Sequence, residues 1–145
     1  MNEDIFHLGI KAITRNKKGQ ILILENNPKN SSSLNPPHWD LPGGRLKKGD
    51  SIESTLQREL KEEIGIKDVN IIKFLDASIS NFRMPAGKQI VGLILFTYLC
   101  SIKNPSLVKL IDDEHLQFKW ANPKEAAKLL KLKFSKELSE KILSL

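Results

Sequence analysis

Residues 44–66 of the 145-residue chain read GRLKKGDSIESTLQRELKEEIGI. Apolar residues recur every four positions in this stretch, which predicts a helix from Asp50 or Ser51 to Ile64 with one face turned to the core. Either residue can cap the first turn, and Gly65 stands where a helix of this length would end. The apolar face consists of Ile52, Leu56, Leu60 and Ile64.

Three glutamates lie on one side of this predicted helix, because Glu62 and Glu63 follow Glu59 by three and four positions. Two such charges about 6 Å apart repel by roughly 3 kcal/mol at an effective dielectric constant of about 20. A divalent cation would offset this repulsion, and carboxylates without Cys or His suit Mg²⁺ or Mn²⁺. The alternative is a solvated acidic face, stabilised by pairs of Arg58 with Glu62 and of Glu63 with Lys67.

Strand patterns surround this helix without regular βαβ alternation. Strands are predicted over residues 5–14, 20–25, 39–41, 69–82, 89–102 and 116–121, and further helices over 124–132 and 135–143. A glycine turn at 16–19 favours an antiparallel hairpin of the first two strands. Residues 26–37, rich in Asn, Ser and Pro, predict a long surface loop.

Composition limits the protein class: 40% hydrophobic and 28% charged residues fit one domain over residues 1–145. The longest apolar run, Ile90–Cys100, is about half a bilayer span, so we expect no membrane segment. Glu3 and Asp4 argue against a secretory signal and favour a cytoplasmic location. The single cysteine, Cys100, excludes an internal disulfide. A net charge of +6 favours phosphate-bearing partners, although scattered surface lysines would give the same value.

The opening stretch resembles the signature of the Nudix hydrolase family. That signature reads Gly, five residues, Glu, seven residues, then Arg-Glu-apolar-any-Glu-Glu-any-Gly-apolar. Eight of its nine specified positions match, and six of these are identities: Gly44, Arg58, Glu59, Glu62, Glu63 and Gly65. The ninth carries Asp50 in place of Glu, which keeps the charge on a side chain shorter by one carbon.

The resemblance implies an α/β protein of the α+β type, with a Nudix-like α/β/α sandwich around a central mixed sheet. It implies hydrolysis of a nucleoside diphosphate linked to a group X, by water attack on phosphorus with Mg²⁺ or Mn²⁺. The metal ligands would be Glu59, Glu62, Glu63 and the carbonyl of Gly43 or Gly44. Arg58 would orient Glu59, and Gly44, Asp50 and Gly65 would be structural positions of the motif.

The sequence leaves more than one candidate for the general base and for the substrate contacts. Glu59 is the first candidate for the base, and Glu114, in the acidic turn 112–115, is the second unless that turn is merely exposed. Arg45 and Arg83 are candidates for phosphate binding, and Phe82 for stacking on a base. The histidines fit no metal-ligand spacing and are expected to be structural or surface residues: His7, His38 and His115.

Several functions follow from the resemblance. The first is a Mg²⁺-dependent pyrophosphohydrolase of a nucleoside triphosphate, damaged ones included, or of a nucleotide sugar such as ADP-ribose. The second is a non-catalytic nucleotide-binding or RNA-binding module, which the basic charge and Asp50 would fit. The third is a pyrophosphohydrolase of RNA 5′ ends. A small-molecule nucleotide partner is preferred over nucleic acid, and a homodimer stays open.

Overall fold

The computed structural model of the protein describes residues 2–29 and 35–145, and eight strands and three helices lie within them. The strands are β1 (Phe6–Thr14), β2 (Ile21–Asn26), β3 (Trp39–Asp40), β4 (Gly43–Arg45), β5 (Val69–Ile79), β6 (Met84–Ala86), β7 (Gln89–Ile102) and β8 (His115–Ala121). The helices are α1 (Ile52–Ile64), α2 (Pro123–Leu130) and α3 (Lys136–Leu143). The predicted loop over 26–37 lies partly outside the described residues.

The larger sheet has the strand order β4-β1-β7-β5, and β6 pairs with the start of β7. It is mixed, because β1 runs parallel to β7 while its other pairs are antiparallel. A second, antiparallel sheet has the order β3-β2-β8. The predicted mixed sheet is therefore confirmed, and a smaller sheet packs with it.

The expected hairpin of the first two strands is wrong. β1 pairs with β4 and β7, and β2 pairs with β3 and β8, so a single bridge between Arg15 and Ile21 is all that joins them. The Asn16 side chain closes the turn by accepting the backbone N–H groups of Lys18 and Gln20, both at 3.0 Å. Because β2 is apolar on both faces, burying it between the layers is more favourable than a half-exposed hairpin.

Each face of the strands carries its own apolar cluster and its own helices. The α1 side includes Ile10, Leu22, Leu24, Leu56, Leu60 and Ile64. The α2 and α3 side includes Ile13, Ile21, Ile23, Leu95, Leu130 and Leu138. This arrangement confirms the α/β/α sandwich. No helix among the described residues is long and apolar enough to cross a membrane.

Local capping fixes the position of α1. Ser51 is the N-cap: its hydroxyl accepts the backbone N–H of Ser54 at 3.0 Å, and the Ser54 hydroxyl accepts that of Ser51 at 2.9 Å. Gly65 ends the helix in the left-handed conformation, with φ 70°, as the sequence predicted. The choice between Asp50 and Ser51 as cap is thereby settled, and Asp50 is left with another role.

Candidate active site

A cavity of about 470 Å³ lies beside α1, β4 and the turn 112–115. Two groups of charged residues line it. The carboxylate cluster consists of Glu59, Glu62, Glu63, Asp112, Glu114 and His115, and the lysine cluster consists of Lys11, Asp40 and Lys133. The structure thus brings most of the site residues predicted from the sequence into one cavity, together with residues that the sequence analysis did not select.

Glu63 is the most deeply buried member of the carboxylate cluster. Its Oε1 accepts the backbone N–H of Gly43 at 2.8 Å, and its Oε2 lies 3.9 Å from Nε2 of His115. Burial raises the pKa of Glu63 well above its ordinary value, although the Lys11 ammonium and the Gly43 bond act in the opposite direction. An ionised Glu63 therefore costs the fold free energy that a bound cation would recover.

The two glycines of β4 permit the close approach of backbone and carboxylates. A Cβ on Gly44 would lie 2.3 Å from Cδ of Glu59, so the Glu59 carboxylate occupies the space that a side chain would need. Gly43 has φ +138°, and a Cβ there would lie 2.0 Å from the carbonyl oxygen of Ile10. Neither position can accept a side chain without a displacement.

Asp50 reaches Arg58 in spite of its shorter side chain. Its Oδ2 lies 2.7 Å from Nη1 of Arg58 and accepts the backbone N–H of Lys47 at 3.0 Å. The other guanidinium nitrogen, Nη2, donates to the Arg45 carbonyl at 3.4 Å and to Oε1 of Glu59 at 3.5 Å. The bond to Arg58 lowers the pKa of Asp50. Arg58 is therefore held between the start of α1 and the carboxylate cluster.

The turn before β8 contributes more to the cavity than the sequence analysis expected. Nδ1 of His115 lies 3.1 Å from Oδ1 of Asp112, and ligand atoms of Glu63, Asp112 and His115 all lie within 4.8 Å of one another. His115 was expected to be structural or a surface residue, yet it faces Glu63. The exposed Glu114 also lines the cavity, and its backbone carbonyl accepts the N–H of Asn27 at 2.7 Å.

Sequence reasoning missed the lysine cluster. Nζ of Lys11 and Nζ of Lys133 lie 3.2 Å and 2.5 Å from the same Oδ2 of Asp40, and all three side chains are buried. Burial alone would raise the pKa of Asp40, but the two ammonium groups hold it well below its ordinary value. Burial lowers the pKa of Lys133 to about 8. The one feature of the sequence that could have indicated this cluster is Lys11, a charged residue inside the apolar run of β1.

Two of the three predicted substrate contacts line the cavity. Arg45 lies there, with Nη1 3.3 Å from the Pro85 carbonyl. Phe82 is buried and meets the His38 ring edge to face, at 4.5 Å between centroids. Arg83 does not line the cavity, because it is exposed and forms a two-bond pair with Asp4 at 2.8 and 2.9 Å.

Comparison with known proteins agrees with this geometry. A family profile described as NUDIX domain matches residues 5–142. The chain is 28% identical over 96 residues to the nucleoside triphosphatase NudI of Salmonella paratyphi B, which covers 63% of this chain and 67% of the relative. NudI of Salmonella newport matches equally.

Solved structures share the fold. The MutT protein from Methanosarcina mazei Go1 superposes with a TM-score of 0.68 at 23% identity, covering 99% of this chain and 95% of that one. The C. elegans Ap4A hydrolase superposes with a TM-score of 0.66 at 20% identity, covering 96% and 93%. The chain therefore belongs to the NUDIX domain family and is one of its hydrolases.

Proposed function

We propose that this protein is a divalent-cation-dependent pyrophosphohydrolase that acts on a nucleoside triphosphate, with residues 1–145 forming one catalytic domain. The observation that carries the proposal is the meeting of Glu59, Glu62 and Glu63 with two buried lysines in one cavity. The carboxylates suit a cation, and the lysines suit an anionic or acceptor-bearing substrate. The triphosphate is chosen because the matched relatives from Salmonella are named nucleoside triphosphatases.

The donor set fits Mg²⁺ or Mn²⁺. Glu59, Glu62, Glu63 and the carbonyl of Gly43 would supply the hard oxygen ligands that these ions prefer. The raised pKa of the buried Glu63 supports this, because a cation beside it would stabilise its ionised form. When bound, the ion would neutralise charge on the phosphoryl oxygens and lower the pKa of an attacking water. The position of His115, with Nε2 3.9 Å from Oε2 of Glu63, makes it a further candidate ligand.

The remaining residues would position the reactants. Arg58 would orient Glu59 through their 3.5 Å contact. Glu59 or Glu114 would accept the proton of the attacking water, since both line the cavity. Arg45 would bind phosphate oxygens. Arg83 is omitted from the substrate contacts because it is paired with Asp4 outside the cavity.

A nucleotide panel with Mg²⁺ or Mn²⁺ tests the proposal. We expect hydrolysis of a nucleoside triphosphate, with oxygen from ¹⁸O-labelled water in one phosphorus-containing product, and loss of activity on chelation. Glu62→Gln should remove the activity because it replaces a ligand by a poorer one. Glu53→Gln, at an exposed position in the first turn of the same helix, is the matched control and should keep it. Equal turnover by the wild type and Glu62→Gln would refute the proposal.

The same panel separates the alternatives. Nucleotide sugars such as ADP-ribose and triphosphorylated RNA oligonucleotides should be hydrolysed more slowly than free triphosphates. Faster hydrolysis of the RNA would support the RNA 5′-end function. Binding without turnover of any member would support the non-catalytic module, against which the three retained glutamates argue. The cytoplasmic location and a homodimer stay predictions from the sequence.

A further inference from the structure

Lys133 is held in a tightly bonded turn between α2 and α3. Its backbone carbonyl accepts the hydroxyl of Ser80 at 2.9 Å and the N–H of Asn81 at 3.0 Å. The Asn81 side chain also donates to the carbonyls of Lys131 and Leu132 at 3.2 and 3.3 Å. The segment that follows β5 therefore fixes the backbone at Lys133.

The ammonium group of Lys133 has more donors than protein acceptors. It carries three N–H groups, and among residues 2–29 and 35–145 it donates only to Oδ2 of Asp40. The side chain is 7% exposed and lines the cavity. The other bonds of Asp40 are to Lys11, through the same Oδ2, and to the backbone N–H of Leu41, which Oδ1 accepts at 2.7 Å. Two buried N–H donors are left for a ligand.

The neighbouring walls of the cavity are apolar, as the site of an aromatic ring requires. Phe82, Leu93 and Leu95 are buried apolar residues that line it. Asn26 also lines it, and because its Oδ1 accepts the backbone N–H of His38 at 2.5 Å, its Nδ2 is the end left to donate. Two of the polar groups beside these walls, the Lys133 ammonium and the Asn26 amide, are therefore donors, and a ring with a carbonyl acceptor matches them. His38 also lines the cavity, and because its Nδ1 donates to the Pro36 carbonyl at 2.8 Å, its Nε2 is left as an acceptor.

We propose that Lys133 is a specificity-determining residue that donates a hydrogen bond to a ring carbonyl of the substrate base, so that 6-oxopurine and 4-oxopyrimidine nucleotides are preferred over their amino counterparts. This rests on the proposed function. An ammonium group has no lone pair, so it cannot accept from an exocyclic amino group and leaves that group unpaired in a buried site. Such a mismatch should cost about 10- to 100-fold in kcat/KM.

Matched nucleotide pairs test the inference. ITP and ATP differ at purine position 6, and UTP and CTP at pyrimidine position 4, in each case by carbonyl against amino group. The wild type should prefer ITP and UTP by about 10-fold or more, and Lys133→Met should lose the preference through a higher KM for the oxo substrates. Lys133→Gln, whose amide can accept as well as donate, should improve the amino substrates. Lys131→Met, exposed in the same turn, is the control and should keep the wild-type ratio.

Equilibrium binding of ITP and ATP in EDTA separates this inference from the proposed function. A panel with no hydrolysis would refute the proposed function, while the ratio of the two dissociation constants would still decide the role of Lys133. Equal affinities for ITP and ATP in the wild type, or an unchanged ratio in Lys133→Met, would overturn the inference. If thermal unfolding shows that Lys133→Met does not fold, the ratio in Lys133→Gln decides.

Discussion

The two charged clusters of the cavity carry excess charge of opposite sign. In the carboxylate cluster, Glu59, Glu62 and Glu63 come from one helix, and negative charge is in excess. In the lysine cluster, one aspartate serves two buried ammonium groups, and positive charge is in excess. Gly43 joins the clusters, because its N–H binds Glu63 and its carbonyl lies 3.5 Å from Nζ of Lys11.

The difference shows in which cluster the protein alone stabilises the charged groups. Asp40 pairs with both lysines, and they hold its pKa low, so the lysine cluster stabilises the ionised aspartate that it contains. The carboxylate cluster does the reverse, because burial raises the pKa of Glu63. One cluster therefore contributes to the fold as it stands, whereas the other needs a cation to reach its most stable state.

The largest expected effect is on stability, from Asp40→Asn. Removing this charge leaves two buried ammonium groups without the carboxylate to which both are bonded, which should cost about 3–5 kcal/mol of unfolding free energy. Urea unfolding measures it, with the exposed Asp68→Asn as control. A loss below about 1 kcal/mol would show that the lysine cluster is not a charged unit.

Asp40→Asn should also change the way in which the unfolding free energy depends on pH. The folded-state pKa of Asp40 lies below that of the unfolded chain, so its contribution is complete above the unfolded value, near 4, and is lost as the pH falls toward the folded value. The stability of the wild type should therefore decrease in acid more steeply than that of Asp40→Asn. Parallel pH profiles of unfolding free energy would contradict the assigned pairing.

Substitutions of the two glycines of β4, Gly43 and Gly44, should affect activity and folding differently. In Gly44→Ala the new Cβ meets the end of the flexible Glu59 side chain, so we expect a small stability change and a loss of about 10- to 100-fold in kcat. In Gly43→Ala the clash is with backbone at a positive φ, so the fold itself should lose about 1–3 kcal/mol. Thermal unfolding and kcat, measured on both variants, check the contrast. Equal activity of Gly44→Ala and wild type would show that Glu59 is not a functional ligand.

Glu63→Gln should stabilise the metal-free protein while removing activity. The raised folded-state pKa means that ionised Glu63 opposes folding at neutral pH, and that this cost is relieved as the pH falls through the raised value. A neutral amide should therefore add about 1 kcal/mol or more at pH 7 and keep the Gly43 bond. In thermal unfolding, Mg²⁺ should raise the Tm of the wild type and not that of the variant. A lower Tm for metal-free Glu63→Gln would contradict this comparison.

The smallest effect is expected from Asp50→Glu. Asp50 already holds Arg58 at 2.7 Å, so the longer side chain should change kcat/KM by less than about threefold. Asp50→Ala, which removes the carboxylate, should reduce it more because Arg58 would lose its main partner. A large loss in Asp50→Glu would show that the shorter side chain is required here.

Local contacts explain why the carboxylate cluster could be predicted. Its helical glutamates Glu62 and Glu63 follow Glu59 by three and four residues in α1, and helix geometry alone places such residues on one side. Ser51 and Gly65 likewise bound the helix through contacts within a few residues. The turn 112–115 was only half predicted, since the sequence selected Glu114 and missed His115. Which side chain of that turn meets α1 depends on packing between distant segments.

The amino-acid sequence was therefore sufficient to predict α1, the mixture of strands and helices, and the carboxylates that a divalent cation would require. The separate sheets of β1 and β2, and the meeting of Lys11, Asp40 and Lys133, depend on the packing of the folded chain. Residues of β1 and β3 and of the turn before α3 come together there only because the two sheets pack between the helices. A helical repeat is a property of neighbouring residues, whereas a buried ion pair across 93 positions is a property of the folded chain.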